Sequence, residues 1–518
     1  MLKPARGKGR VAPPRLDRSG SAEDTLWRRT QRERRMRMSR RGRVTIATLL
    51  TGFAVALIWL LEPHEAVRAF GIVQPMPDFD TAPPEAEPPP ANQVPEDVLA
   101  HLPVGREALT LPSASGPGAS RERLYEHIDV SRTHPELAGP LRVEYTLDRE
   151  LTERTHEVLR RGHVDLGTLV VLEPRSGRVL AYAATDTRRF PPTRTYPAAS
   201  LVKVITAATA LDQAPEVADQ PCRFSGSPYR LTPSRVDPPR TGPTVTLERA
   251  LATSNNQCFA QIAVHALGVE PLMEAFGRFG WLAAPAPAHE SGSADPGEDR
   301  YDLGRLGSGL AGTRITPLHA ALLAATLAQG ELVTPQWVER VVDANGRELP
   351  LPAAETRRVM SPELARRLRE MLTETTRSGT ARRAFHKRGG RPLLGEIEVA
   401  GKTGSLSGRD PDGHYEWFIG VAPAEDPRIA VAAVIVNGKM WWRSASQVAA
   451  DLLQEIFCSE GACATANAVR IVSSAAQGAA AGGARAVNSA SRRPERSEIS
   501  SPAPAEMSAV SRGSSTRS

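Results

Sequence analysis

The sequence predicts an α+β domain between residues 141 and 457, an antiparallel sheet flanked by helices with a mainly helical lobe, preceded by one N-terminal transmembrane helix. Three observations carry that expectation. Strand-like apolar runs cluster at both ends of the domain, helical periodicity fills the middle, and an uncharged run of eighteen residues, Val44 to Leu61, stands ahead of it.

Taken in order, residues 1–43 hold fifteen Lys or Arg against four Asp or Glu, a net of +11, and read as a disordered basic tail. Val44 to Leu61 (VTIATLLTGFAVALIWLL) is long enough to cross the hydrocarbon core as a helix, about 27 Å at the helical rise. Arg40, Arg41 and Arg43 precede it and Glu62 and Glu65 follow, so the N-terminus is expected in the cytoplasm and the remainder outside. The long basic leader and the want of a small-x-small site after the run favour a retained anchor over a cleaved signal peptide. Residues 62–140 read as a linker and a weakly patterned segment; Gln74 to Pro95 alone contains eight prolines, which suits a stiff spacer.

Gly167 to Pro174 and Gly177 to Ala184, joined by Arg175-Ser176, predict a β-hairpin. A helix is expected after Ser200, with Val204, Ala207, Ala208 and Leu211 on one face. Thr316-Pro317 and Ser361-Pro362 each place a capping residue before a proline and signal two more helix starts. Trp417 to Ala422 and Arg428 to Val436 return to strand, and Ser444 to Phe457 closes the domain as an amphipathic helix. Residues 458–518 read as a disordered Ala-, Ser- and Arg-rich tail. From residue 464 it carries seven Arg against three Glu, so both basic excesses lie in the tails and the middle of the chain is net negative. A nucleic-acid partner is therefore not expected.

The four cysteines, Cys222, Cys258, Cys458 and Cys463, would all lie outside the cell, where disulfides persist. Pairing Cys222 with Cys258 and Cys458 with Cys463 is one of three connectivities, and unpaired thiols remain an alternative. No metal-ligand spacing occurs, the eleven histidines are scattered, and neither a metal nor a cofactor is expected.

Only six of the 65 basic residues are lysine, and two of them stand at Lys203 and Lys402. Arginine keeps its proton near neutral pH, whereas a desolvated lysine can act as a base. Ser200 and Lys203 are three apart, so a helix presents both on one face, and the apolar flanks Ala198, Ala199, Leu201, Val202, Val204 and Ile205 argue against a solvated Lys203. An adjacent neutral amine can take the proton of a serine nucleophile. Ser254-Asn255-Asn256 lies between two helical patterns and by itself reads as an Asx turn. Gly401-Lys402-Thr403-Gly404-Ser405 follows a strand-like run and would alone be a turn or a phosphate loop. The phosphate loop fails, because five residues separate Gly395 from Gly401 where that motif needs four. Gly307-Ser308-Gly309-Leu310-Ala311-Gly312 spells a dinucleotide fingerprint without its preceding strand, so a glycine-rich turn is the better reading.

Ser-x-x-Lys, Ser-x-Asn and Lys-Thr-Gly in this order resemble the signature of penicillin-binding proteins and class A β-lactamases. The chain is similar to a penicillin-binding transpeptidase domain over roughly residues 141–457. Tyr145-Thr-Leu-Asp148, Thr316-Pro317-Leu318, Ser378-Gly-Thr380 and Trp417-Phe-Ile-Gly420 add to the likeness. The resemblance implies the penicillin-binding/β-lactamase-like fold and a D,D-transpeptidase of peptidoglycan synthesis. Ser200 would be acylated by a D-Ala-D-Ala stem peptide, with Lys203 as base. Ser254 would relay the proton to the leaving amine and Lys402 would hold that hydroxyl. Asn256 would bond the substrate amide and Thr403 its carboxylate, in the Lys402-Thr403-Gly404-Ser405 motif, and the N–H groups of Ser200 and Ser405 would form the oxyanion hole.

The implied partners are peptidoglycan stem peptides, with β-lactams as covalent inhibitors, in a single-pass protein of the bacterial inner membrane whose catalytic domain is periplasmic. No glutamate between Asn256 and Lys402 has asparagine four residues on, as the deacylating site of class A β-lactamases requires. Residues 62–140 are too short for the glycosyltransferase domain of the bifunctional members, so an anchored transpeptidase domain alone is expected. A D,D-carboxypeptidase, a β-lactam sensor and a non-catalytic scaffold are the rival readings.

Overall fold

The computed structural model describes residues 93–100, 102, 125–438, 443–459 and 462–463. The expected transmembrane helix at Val44–Leu61 and the basic N-terminal tail lie outside the described residues. Among the described residues no helix is long and apolar enough to cross a membrane.

The central feature is a five-stranded antiparallel sheet. The predicted hairpin supplies β3 (Leu166–Leu172) and β4 (Val179–Ala184), and β8 (Ala400–Gly408), β9 (Gly413–Ala422) and β10 (Ile429–Asn437) supply the rest, in spatial order β8-β9-β10-β3-β4. Side chains alternate across a strand, and here both faces are covered. Val170 and Leu172 of β3 face one core cluster with Ile419, Val421, Ala432 and Val434. Leu169 and Val171 face the other with Phe418, Ala433 and Ile435. Every residue of β10 is buried, which is why Ile429 to Val436 reads as an unbroken apolar run rather than an alternating one.

On the second face lie α2 (Arg149–Arg161) and the C-terminal α10 (Ala445–Phe457), whose Ser444 and Gln447 form a reciprocal capping box. On the first face lie α3 (Val202–Gln213), α8 (Pro317–Gln329) and α9 (Pro362–Arg377). Thr316 and Ser361 cap α8 and α9 through the N–H groups of His319 and Leu364, as their positions before proline predict. Helix α3 is buried from Val202 to Leu211, so it is apolar on all sides apart from Lys203 and two threonines. Buried Arg369 of α9 donates to the carbonyls of Leu327 and Ala328 at 2.5 and 2.7 Å, satisfying the last turn of α8 and countering its negative end.

The helical lobe adds α4 (Leu247–Ala252), α5 (Asn256–Gln261), α6 (Val269–Arg278) and α7 (Arg300–Ser308), which the short strand β5 (Thr313–Ile315) follows. A π-helical turn, Ile262–Leu267, extends α5.

Two stretches depart from the sequence reading. Residues 62–140, read as a linker followed by a weakly patterned segment, contain α1 (Glu96–Ala100) and β1 (Tyr125–Ile128) in the part left without an assignment. Val94, Val98 and Leu102, spaced four apart, are buried in the first core cluster, and β1 pairs with β2 (Leu141–Tyr145) in a second sheet with β6 (Val338–Val342) and β7 (Glu348–Leu349). A helix this short, beside a proline-rich run, leaves too few periodic positions to stand out. The expected disordered tail begins instead with Cys458–Ser459 paired antiparallel to Ala462–Cys463. All four cysteines are bonded, Cys222 to Cys258 and Cys458 to Cys463.

Candidate active site

Ser200 sits in a tight turn, Ala199–Leu201, that leads directly into α3. Lys203, one turn on, is fully buried. Its Nζ lies 2.7 Å from Ser200 Oγ, 2.7 Å from Asn256 Oδ1 and 2.6 Å from the Ser308 carbonyl. Burial in the apolar lobe, and then the nearby charge of Lys402, hold the Lys203 amine well below the usual lysine range.

The Ser308 carbonyl is presented by the C-terminus of α7. The helix ends on Gly309 with φ +74°, and a Cβ there would stand 2.0 Å from the Ala199 carbonyl oxygen. Only glycine allows the end of α7 to meet the Ser200 turn. The glycine-rich stretch read from sequence as a turn is one from Gly309 to Gly312, while its first two residues, Gly307 and Ser308, close α7 and contribute a backbone acceptor to the lysine.

Ser254 adopts φ +56°, and the following Asn255 caps α5 by accepting from the N–H groups of Gln257 and Cys258. Asn256 is the first residue of α5 rather than a loop residue. Its amide is fixed at both ends, with Oδ1 accepting from Lys203 and Nδ2 donating to the Tyr229 carbonyl at 2.7 Å.

Lys402-Thr403-Gly404-Ser405 belongs to β8 itself, not to a turn after it. Strand β8 is the edge of the main sheet, and Gly404 brings it against the nucleophile turn. A Cβ on Gly404 would lie 3.3 Å from both the Ala198 oxygen and the Ala199 methyl. Lys402, also fully buried and on the same face of β8 as Gly404, has its Nζ donating to Ser254 Oγ at 3.0 Å and to the Thr403 carbonyl at 2.8 Å. Burial pulls its pKa down to about 7. Thr403 Oγ1 is 2.6 Å from Thr380 Oγ1, and Ser405 Oγ is 2.6 Å from His414 Nε2.

A cleft of about 670 Å³ joins these groups; Ser200, Ser254, Asn256, Thr403, Gly404 and Ser405 all line it. The two lysine amines reach it only through the hydroxyls they hold. All eight residues singled out from the sequence thus converge on one place. Sequence reasoning missed the Ser308 and Tyr229 carbonyls, which carry no side-chain signal, and Glu416, whose only mark is its place before Trp417. Thr380 was legible only through resemblance. His265 and His319 stand apart from the cleft: His265 bonds the Val236 carbonyl and Asp237, and buried His319 the Phe279 carbonyl. Among the described residues no group of three or more His, Cys, Asp or Glu is arranged to hold a metal ion.

A serine held by a buried amine, with a second serine–lysine pair across the cleft on a sheet edge, defines a site for serine acyl transfer. The family model described as penicillin binding protein transpeptidase domain matches residues 167–457, more than half of the chain, and the chain belongs to that family. It is 28% identical over 315 residues to the peptidoglycan D,D-transpeptidase PbpA of Mycolicibacterium smegmatis, covering 52% of this chain and 62% of the relative. Identity to PbpA of Mycobacterium tuberculosis is likewise 28%, over 316 residues, with the same coverage. The chain thus spans less than two thirds of the length of these curated relatives. Its fold matches the crystal structure of PBPA from Mycobacterium tuberculosis with a TM-score of 0.52 at 24% identity, over 60% of this chain and 81% of that one. A ceftriaxone acyl-enzyme complex of the same protein matches at a TM-score of 0.50 and 24% identity, over 60% of this chain and 79% of that one.

Proposed function

We propose that this chain is a serine D,D-transpeptidase that acylates Ser200 with stem peptides ending in D-Ala-D-Ala and transfers the acyl group to the amine of a second stem peptide. The observation that carries the reading is the set of three partners around Lys203 Nζ. A neutral amine has two N–H groups and one lone pair. The Asn256 amide oxygen and the Ser308 carbonyl can only accept, so they take both N–H groups, and the lone pair is left facing Ser200 Oγ–H. Burial supplies the neutral amine, and fixed acceptors supply its orientation.

In the first half-reaction Ser200 Oγ bonds the carbonyl carbon of the penultimate D-alanine while its proton passes to Lys203. The oxyanion lies against the N–H groups of Ser200 and Ser405. The carbon–nitrogen bond then breaks, the leaving amine receives a proton through Ser254, and the terminal D-alanine departs. In the second half the acceptor amine attacks the ester carbon and gives up a proton. The bond to Ser200 breaks, and Oγ recovers its proton. Lys402 orients Ser254 and adds positive potential, and Thr403 with Thr380 receives the substrate carboxylate. Edge strand β8 offers main-chain groups to an extended peptide.

The names of the PbpA relatives support the reaction, and the ceftriaxone acyl-enzyme of a family member supports β-lactams as covalent inhibitors at Ser200. Val44–Leu61 is read as a single-pass anchor that holds the domain outside the cytoplasm, a reading supported by its basic N-terminal flank and by the two disulfides.

The test is to incubate the full-length chain with a fluorescent penicillin, then with donor and acceptor stem peptides, beside Ser200→Ala. Covalent label and cross-linked product on the wild type alone are expected. No label on the wild type overturns the proposal, and label with D-alanine release but no cross-link makes the protein a carboxypeptidase.

A further inference from the structure

Two charged groups, Arg383 and Glu416, line the cleft without a part in the acylation chemistry above. Glu416 lies on β9 directly opposite Ser405 of β8, so the two side chains share a face of the sheet. Directly opposed residues of an antiparallel pair stand about 5 Å apart at Cβ, which puts Glu416 one strand away from the oxyanion-hole strand and inside the Ser200 cleft.

Its carboxylate is poorly served. Oε2 accepts from the Ala445 N–H at 3.3 Å and from Asn437 Nδ2 at 3.4 Å, and both contacts are long. Among the described residues nothing donates to Oε1, and no lysine, arginine or histidine pairs with Glu416. Partial burial pushes its carboxyl above the usual range, and no cation among the described residues lowers it. The fold elsewhere pairs such groups. Glu144 and Asp343, the two fully buried acids among the described residues, meet Arg340 and Arg347 at 2.8 and 3.3 Å. A half-buried carboxylate without a cation, open to a substrate cleft, is costly unless the substrate brings the missing charge.

We propose that Glu416 is a specificity residue, the anionic wall of a subsite for an ammonium group of the peptidoglycan stem peptide, such as the free side-chain amine of the residue preceding D-Ala-D-Ala. The inference rests on the D,D-transpeptidase reading. Seryl and amide groups of Ser444 to Gln447 at the start of α10 line the same part of the cleft and can complete the ammonium's hydrogen bonds. The ammonium could belong to the donor peptide or to the acceptor, and the experiment separates the two.

The full-length wild type and Glu416→Gln, which keeps the shape and the acceptor for Ala445 N–H but loses the charge, are compared on two donors. One is Nα-acetyl-L-Lys-D-Ala-D-Ala, and the other is the same peptide with its side-chain amine acetylated. A wild-type preference of about tenfold in kcat/KM for the free amine, lost in Glu416→Gln, assigns the subsite to the donor. In a second arm the donor is held constant and the acceptor varies between a free and an acetylated second amine, with transfer scored against hydrolysis. Selectivity lost only there assigns the subsite to the acceptor. Fluorescent-penicillin labelling of both proteins is read alongside. Absence of label on the wild type overturns the D,D-transpeptidase reading itself, whereas label without charge preference in either arm overturns only the ammonium subsite. A label missing from Glu416→Gln alone marks a misfolded variant, and Glu416→Asp, which keeps the charge and must retain the preference, then decides.

Discussion

Lys203 and Lys402 are equally buried, yet their surroundings differ in kind. Lys203 is enclosed by two carbonyl-type acceptors and one hydroxyl, and its amine is depressed by burial and by a neighbouring positive charge. Lys402 meets one hydroxyl and one carbonyl, and burial alone brings it to about 7. Burial makes either amine easier to deprotonate. Only at Lys203 do the partners consume both N–H groups and aim the lone pair at a nucleophile. Lys402, with one obligate acceptor, is free to stay protonated and act as charge. Identical side chains are thus divided into base and electrostatic anchor by the valency of what surrounds them.

Replacing each lysine by arginine puts this division under the greatest stress. Lys203→Arg retains positive charge and hydrogen-bond donors but has no lone pair to offer, so the rate of penicillin acylation should fall by about 10³-fold. Lys402→Arg keeps what that position supplies, a cation beside Ser254, and should lose about tenfold, mainly through fit. Stopped-flow labelling of the two variants checks the order. Equal losses would show that both lysines serve as bases, or that neither does.

The pH profile sharpens the same contrast. Lys402 is positive below about pH 7 and neutral above it, so the second-order acylation constant should decline as pH rises through about 7. Lys203 must be neutral, and its pKa lies well below the usual value, so the acid limb falls only once that depressed pKa is reached. Bound penicillin brings a carboxylate that favours charged Lys402, and the alkaline limb of the first-order step should therefore lie higher than that of the second-order constant. In Lys402→Arg the alkaline limb should vanish while the acid limb stays. An alkaline limb that survives arginine would assign it to another group.

The contrast between the two lysines was half legible in the sequence. Rarity of lysine in an arginine-rich chain marked both positions, and the spacing from Ser200 singled out Lys203. Strands β3, β4, β9 and β10 were legible because their apolar runs are long, and α8 and α9 because threonine or serine precedes proline. What distinguishes the lysines was hidden, since the acceptors at Ser308 and Tyr229 are backbone carbonyls, and any residue carries one. Gly309 was visible as a letter, but its meaning depends on Ala199, over a hundred positions away. The packing of Val94, Val98 and Leu102 escaped for a different reason. Three apolar residues spaced four apart, only Val98 of them on the five-residue helix, are too weak a pattern to separate from an unpatterned segment.

A gentler perturbation reaches one lysine and leaves the other alone. The Cys222–Cys258 bond ties the loop that carries Tyr229 to α5, and Gln257 holds the same loop through the Ser225 and Ser227 carbonyls. Tyr229 in turn fixes Asn256, and Asn256 fixes Lys203. Cys222→Ser/Cys258→Ser should cost about 4 kcal/mol of stability by freeing a 36-residue separation in the unfolded chain. It should also slow acylation by about tenfold through misplacement of the Lys203 lone pair. The alkaline limb set by Lys402 should not move, and a shift of that limb would show that the loop supports both sides of the cleft.

The smallest expected effect concerns the backbone under Lys402. Ser254 holds φ +56°, a left-handed conformation that costs a residue with a Cβ about 1–2 kcal/mol. The position tolerates that strain because it delivers the hydroxyl to Lys402 Nζ. Ser254→Ala and Ser254→Gly both delete the hydroxyl, and their acylation rates should fall together. Their stabilities should not. Glycine relieves the strain while adding about 0.4–1 kcal/mol of freedom to the unfolded chain, so the net gain over alanine is about 1 kcal/mol. Urea melts of the two variants, read against acylation, separate strain from chemistry. If glycine melts no later than alanine, the left-handed turn at Ser254 stores no strain. Retention of the residue there would then rest on its hydroxyl alone.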